Sequence, residues 1–241
     1  MREGDDLAAL IADVAPDLRD GDVLVIAQKI LSKAEGRVRA LAEVEAGERA
    51  TALATEFGKD PRLVQVVLDE TVELLRAEHG VFICETRHGF VCANAGVDTS
   101  NAPGPDDAVL LPLDPDASAR QIRGRLGAGA AGSAGARPRI GVVISDSFGR
   151  PWRLGVADVA IGAAGVCVLD DWRGRADAHG RELPATEVAV ADQLAAAADL
   201  SRAKDSNEPV VLVRGAGPFV TDEDGPGAAA LRRPREIDLF R

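Results

Sequence analysis

The stretch GVVISDSFGRPWRLGVADVAIGAAGV, residues 141–166, fixes how the chain is layered. Ile140 and the GVVI that follows form one continuous apolar run, which is how a strand buried on both faces is written in sequence. The run meets Asp146 and Ser147, where the chain is expected to leave the core, turn through FGRPWR and re-enter as the apolar run within ADVAIGAAGVCVLDD. Two further runs of this kind, VLVIA at 23–27 and VVLV at 210–213, predict buried strands. Helical spacing of apolar residues marks residues 4–17, where Leu7, Leu10, Ile11 and Val14 recur, and also residues 44–57, 61–76 and 188–200. Residues 81–85 and 90–93 alternate around a turn holding Arg87, His88 and Gly89, a hairpin pattern. Strands interleaved with helices predict an α+β (mixed α/β) chain. The expected division is a main domain over 1–78 and 138–241 and a smaller hairpin-containing domain over 79–137.

Composition excludes several classes of function. The net charge of −11 argues against generic binding to nucleic acid, and an aromatic content of 3% with no Tyr leaves no platform for stacking single-stranded bases. Cys84, Cys92 and Cys167 lack metal-ligand spacing and sit in apolar runs, so buried reduced thiols are expected. His79, His88 and His179 are scattered, which argues for exposed loop histidines and against a His-based zinc site. The Gly/Ala-rich GAGAAGSAGARP at 127–138 lacks the Gly-Lys-Ser/Thr of a phosphate loop and reads as a connection. Neither a signal peptide nor an apolar stretch of membrane-spanning length is visible, so a cytoplasmic protein with no membrane partner is expected.

Three polar constellations remain. Asp146 and Ser147 follow a buried strand and offer oxygens suited to a hard divalent cation; capping of the next turn is the equal alternative. Beyond them Arg150 and Arg153 flank a stiff Pro-Trp step, and guanidinium groups hold phosphate or carboxylate bidentately. The loop NAGVDTSNAPG, residues 94–104, carries Asp98 and Asn101. In VIAQKILSKAEGR, residues 25–37, Lys29, Lys33 and Arg37 recur every four residues and share one helical face, either a solvated basic face or an anion site.

Read in order, GDDLAALI, GDVLVIAQKILSKAEGR, CANAGVDTSNAPG, the 141–166 stretch, GRELPATEVAVADQLAAAADL and PVVLVRGAGPF resemble the coenzyme F(420)-0:L-glutamate ligase family over nearly the whole chain. The resemblance implies a two-domain fold peculiar to that family, with mixed sheets and flanking helices, and a homodimer. It implies a cleft for GTP and two divalent cations, Mn²⁺ or Mg²⁺, with K⁺ as an additional ion. By position Asp98, Asp146 and Ser147 match the metal ligands, and Gln28, Lys29, Lys33 and Asn101 match residues at the guanine nucleotide. Arg150 and Arg153 are then the candidates for stabilising the transferring group. Ser147 stands where Thr is usual, and Lys204 stands near a place where the family offers Gln or Glu to the metal. The chain also starts without the family's leading strand and Leu-Pro loop, which implies a shortened start or a replaced contact. The implied reaction is phosphorylation of a deazaflavin precursor's carboxylate by GTP, followed by amide formation with L-glutamate. Two other readings stay open: a ligase of the same kind with another carboxylate acceptor, and a GTP-binding regulatory homologue without catalysis.

Overall fold

The computed structural model of the chain describes residues 1–129, 138–203 and 205–240. In chain order its main elements are α1 (Leu7–Val14), β1 (Val23–Ala27), α2 (Gln28–Ala34), β2 (Val38–Ala40), α3 (Glu48–Phe57), α4 (Pro61–Asp69), β3 (Thr71–Glu78), β4 (Val81–Thr86), β5 (Val91–Ala93), β6 (Asp107–Val109), α5 (Pro115–Gly129), β7 (Gly141–Arg150), β8 (Arg153–Ala164), β9 (Asp170–Asp171), β10 (Glu187–Val188), α6 (Val190–Asp199) and β11 (Val210–Val213). The fold is α+β, as the alternation predicts. No helix among the described residues is long and apolar enough to cross a membrane. The chain divides into two compact units.

The larger unit comprises Asp6–Ala27, Asp114–Ser147 and Ala157–Arg241. Its sheet has the order β11-β1-β7-β8, with β1 parallel to β7 and antiparallel to β11. Val23 and Val25 pack with Val143, Ala163 and the apolar face of α6, Ala191, Leu194, Ala195 and Ala198. The alternate residues Leu24, Ile26, Val142 and Ile144 are equally buried, so both faces of the two central strands are covered, as their unbroken apolar runs require. Gly141 opens β7 because a Cβ there would stand 2.5 Å from Val166 Cγ2 and 3.2 Å from Val23 Cγ2. Asp6 caps α1 by accepting from the Ala9 N–H at 3.1 Å, and α1 contacts α5. Two side chains of α5 tie down the C-terminal segment. Asp116 accepts from the backbone N–H groups of Ala163, Ala228 and Ala229 at 2.8, 2.7 and 3.1 Å. Arg123 donates to Ile140 O at 2.9 Å and Thr221 O at 2.7 Å and pairs with Asp224 at 2.6 Å.

The smaller unit comprises Met1–Asp5, Gln28–Leu113 and Phe148–Val156. An antiparallel sheet β3-β4-β5 and the antiparallel pair β2-β6 enclose, with α3 and α4, a core that includes Leu41, Ala50, Val64, Val67, Phe82 and Leu110. Phe57 meets Phe82 edge to face with centroids 5.5 Å apart. Glu70 at the end of α4 receives Arg37 at 2.9 Å and Arg87 at 2.7 Å, a largely buried carboxylate between two guanidinium groups.

Several expectations change. The helix expected over 61–76 stops at Asp69, and Leu74 and Leu75 belong to β3, whose pairing with β4 outweighs a helix-compatible pattern. β7 does not end at Asp146 but extends to Arg150, and the two-residue link through Pro151 and Trp152 returns directly into β8. β11 is half-buried rather than buried, because it is an edge strand paired only with β1. His88 is not an exposed loop residue: its Nε2 lies 2.8 Å from Pro112 O and its ring stacks on Phe90. Desolvation holds its pKa below the usual imidazole value. His79 and His179 are exposed, and all three cysteines are free, Cys84 and Cys92 buried and Cys167 half-buried. The Gly/Ala-rich connection begins inside α5, and residues 130–137 lie outside the described residues.

Candidate functional site

β1 runs into α2 without a loop, so the first turn of α2 presents Gln28 and Lys29 directly at a strand end. In the smaller unit α2 faces the loop that holds Asp98. That loop is fixed by backbone bonds in both directions between Asp98 and Val109, at 3.0 and 2.8 Å. It is entered through successive left-handed residues Asn94, Ala95 and Gly96, and a Cβ on Gly96 would collide with Leu111 at 2.6 Å.

Lys29 and Asp98 form the centre of this cluster. Lys29 Nζ is 2.6 Å from Asp98 Oδ2 and donates to Ser100 Oγ at 2.6 Å. Ser100 in turn donates to Asp98 twice, from its N–H at 2.7 Å and its hydroxyl at 2.9 Å. Burial works to raise the Asp98 pKa, but the Lys29 and Ser100 hydrogen bonds and the Lys29 charge outweigh it, leaving the carboxyl below its ordinary range. One helical turn on, Lys33 Nζ donates to the Asn101 carbonyl at 2.5 Å. Its pKa is lowered, first by desolvation and then by the charge of Lys29. Gln28 is only 1% exposed; its Oε1 accepts from Ser32, while its buried Nε2 has no acceptor among the described residues. A buried donor left unpaired costs about 1–3 kcal/mol, so this amide suits a ligand oxygen. Beside Asp98 opens a cavity of about 220 Å³, with Leu63 and Phe82 on its apolar side and Lys59, Asn94, Asp98 and Thr99 on its polar side. The four-residue spacing of Lys29 and Lys33 thus brings two ammonium groups to one polar loop.

The second cluster lies in the larger unit, at the end of its share of β7. Ser147 Oγ donates to Asp158 Oδ1 at 2.6 Å and Ser145 Oγ to Oδ2 at 2.8 Å. Arg202, after α6, donates from Nη2 to Asp158 Oδ2 at 2.9 Å and to Ser145 Oγ at 3.0 Å. Ser145 and Ser147 share a face of the strand, so strand alternation turns Asp146 toward the other. The two neighbours thus address separate positions instead of biting one ion together. Asp158 and Arg202 were not singled out from the sequence, although a carboxylate inside the apolar run VADVAIGAAGV was a signal that a partner must exist. Arg150 and Arg153 are exposed near the tip of the β7-β8 hairpin, where Arg150 donates to Leu154 O at 2.9 Å.

These donors fit a hard divalent cation. Carboxylate and hydroxyl oxygens are the ligands Mg²⁺ and Mn²⁺ prefer, and Asp98 already draws a cationic ammonium to 2.6 Å. No group of three or more His, Cys, Asp or Glu converges among the described residues.

Comparison with known proteins gives one family and several named relatives. A family model described as F(420)-0:gamma-glutamyl ligase matches residues 1–215. A protein of Methanopyrus kandleri named coenzyme F(420):L-glutamate ligase is 48% identical over 100% of this chain and 93% of its own length. Proteins of the same name are 44% identical in Methanothermobacter thermautotrophicus (99% of this chain, 93% of that protein) and 43% identical in Methanocaldococcus jannaschii (98% and 90%).

Proposed function

Because the chain belongs to the F(420)-0:gamma-glutamyl ligase family, we propose that it is the amide-forming ligase that joins the deazaflavin precursor F(420)-0 to L-glutamate at the expense of GTP. The observation that carries the reading is the convergence of Lys29 and Lys33 on the Asp98 loop, inside a family match spanning residues 1–215.

A carboxylate does not react with an amine at neutral pH, so the precursor's terminal carboxylate first attacks the γ-phosphorus of GTP, releasing GDP and leaving an acyl phosphate. The amine of glutamate then attacks the acyl carbon, forming the amide as phosphate departs. Lys29 and Lys33 supply positive charge to the phosphates, and Gln28 and Asn101 hold the nucleotide. By the resemblance, Asp98 in the smaller unit and Asp146 and Ser147 in the larger would serve as ligands for divalent cations, Mn²⁺ or Mg²⁺, two being expected, with K⁺ as an additional ion. Divalent cations held there would supply positive charge to offset that of the phosphates. Arg150 and Arg153 stabilise the transferring phosphoryl group or the acidic tail of the precursor. A second copy of the chain covers Trp152, Leu154 and Val156, which are 84%, 98% and 56% exposed at every second position of the hairpin. The proposed assembly is then a homodimer.

The test is incubation of the protein with GTP, Mn²⁺, L-glutamate and F(420)-0, followed by mass spectrometry. The expected result is a coenzyme heavier by one or more glutamyl units with one GDP per bond. GDP-free, unmodified precursor after extended incubation would overturn the assignment.

A further inference from the structure

We infer that the cavity beside Asp98 is the pocket for L-glutamate, with Lys59 as the residue that recognises its side-chain carboxylate. The inference rests on the ligase reading above and concerns the one substrate whose binding residues the family resemblance leaves unassigned.

The cavity lies within the smaller unit, and its volume of about 220 Å³ falls below the roughly 300–1,000 Å³ of sites for drug-sized ligands. It is too small to enclose a guanine nucleotide or a deazaflavin and suits a ligand of amino-acid size. Part of its wall is apolar: Phe82 and Val97 are buried, and Leu63 packs against the same core. Such a wall accepts a short methylene stem, which loses water there without stranding a polar group.

The charge in the cavity selects the ligand. Lys59 follows the left-handed Gly58 that ends α3, and its ammonium folds back over the Phe82 ring, 5.6 Å from the centroid. It has no carboxylate partner among the described residues, although the chain carries a net charge of −11. Nearby Arg62 is the contrast, since Asp60 already holds it at 2.6 Å. Asn94 supplies a second donor to the cavity. The Phe82 N–H donates to Asn94 Oδ1 at 3.4 Å, which fixes the amide so that Nδ2 is its other end, and Nδ2 has no acceptor among the described residues. An ammonium and an amide N–H on one small cavity offer a donor to each oxygen of a carboxylate. The remaining polar residues of the cavity, Asp98 and Thr99, are left for the opposite end of the amino acid. That end carries the nucleophilic amine, and Asp98 is where the proposed reading sets the activated carboxylate.

The test is steady-state kinetics of GDP release with glutamate varied at saturating GTP, Mn²⁺ and F(420)-0, with circular dichroism as the check on folding. K59M is expected to raise the KM for glutamate about 10- to 150-fold, the worth of a hydrogen bond from a charged donor, while the KM values for GTP and F(420)-0 stay within about twofold. K59M is also expected to lose most of the preference for glutamate over glutamine, a ratio that a merely structural lysine would leave unmoved. R62Q removes the neighbouring cation already paired with Asp60 and is expected to leave the KM for glutamate as it is. Should K59M fail to fold, N94D keeps an acceptor for the Phe82 N–H and sets a negative charge against the incoming carboxylate, for a rise in the glutamate KM of about tenfold or more. An unchanged KM for glutamate in whichever of the two folds, an equal rise in R62Q, or a rise in the KM for F(420)-0 instead would overturn the inference and leave the ligase reading intact. No glutamylated product from the unmodified protein would overturn both.

Discussion

Replacing Lys29 with methionine should move two affinities in opposite directions. The ammonium sits 2.6 Å from Asp98 Oδ2 and 2.6 Å from Ser100 Oγ, so on the proposed reading it is at once a substitute cation for Asp98 and a donor for an incoming phosphate. In nucleotide-free protein a divalent cation approaching Asp98 must displace or share with Lys29. The pair is partly open to water, with side-chain exposures of 22% and 44%, and such pairs are worth about 0.2–1 kcal/mol. Removing the competitor should therefore tighten Mn²⁺ binding without nucleotide by up to about fivefold. GTP meets the opposite effect. A hydrogen bond from a charged donor contributes about 1.5–3 kcal/mol, so its loss should weaken GTP about 10- to 150-fold. Ser100 still donates twice to Asp98, which keeps the loop in place while the ammonium is gone. Isothermal titration with Mn²⁺ alone, and separately with GTP in saturating Mg²⁺, measures both. If K29M binds GTP as tightly as the unmodified protein, Lys29 does not meet the phosphates and the reading of this cluster is wrong.

Other consequences concern stability and assembly. D116A removes the acceptor of three backbone N–H groups that join α5 to β8 and the C-terminal segment, and should cost at least about 3 kcal/mol in urea unfolding, whereas D116N, which keeps an Oδ1 acceptor for Ala163 and Ala228, should cost less than half as much. Desolvation raises the Asp192 carboxyl pKa, against the Ala160 N–H that lowers it. The folded state therefore binds the extra proton between the ordinary carboxylate range and the raised value, and its advantage is lost as pH rises through that window. D192N should consequently gain more in melting temperature over the unmodified protein at pH 7 than at pH 3, and an equal gain at both would refute the assignment. The double change W152S/L154K should shift the light-scattering mass toward that of one chain, and an unchanged mass would place the dimer contact elsewhere.

What could be read beforehand was what short-range chemistry determines. β1 and β7 were legible because VLVIA and GVVI are unbroken apolar runs, and few structures besides a doubly covered strand bury every residue of such a run. β3 was not. Leu74 and Leu75 continue the helical spacing of Val66 and Val67, and what ends α4 at Asp69 is pairing with β4, information that resides in another segment. In the candidate site the spacing of Lys29 and Lys33 left a solvated face and an anion site both open, and the resemblance, not the local sequence, singled out those lysines and Asp98. Asp158 and Arg202 were hidden because their meaning depends on a contact between residues far apart in the chain. The Asp146-Ser147 pair was visible as chemistry but not as geometry, since only an extended backbone through both residues puts them on opposite faces.

The sheet order has a consequence in time. β1 sits between β7 and β11, Leu24 opposite Val142 on one side and Leu212 on the other, so its neighbours are made long after it is. At translation rates of about 5–20 residues per second, VLVIA leaves the ribosome roughly ten seconds before β7 exists to receive it. During that interval residues 28–113, nearly all of the smaller unit, emerge as one uninterrupted piece whose hairpins and helix pair close locally. The waiting strand is a short apolar segment of the kind that seeds aggregation. Asp20 and Asp22 precede it and Lys29 and Lys33 follow, so charges flank the nascent strand on both sides. The two lysines that contact the loop at Asp98 thus also stand where charged residues oppose aggregation of an unpaired apolar strand.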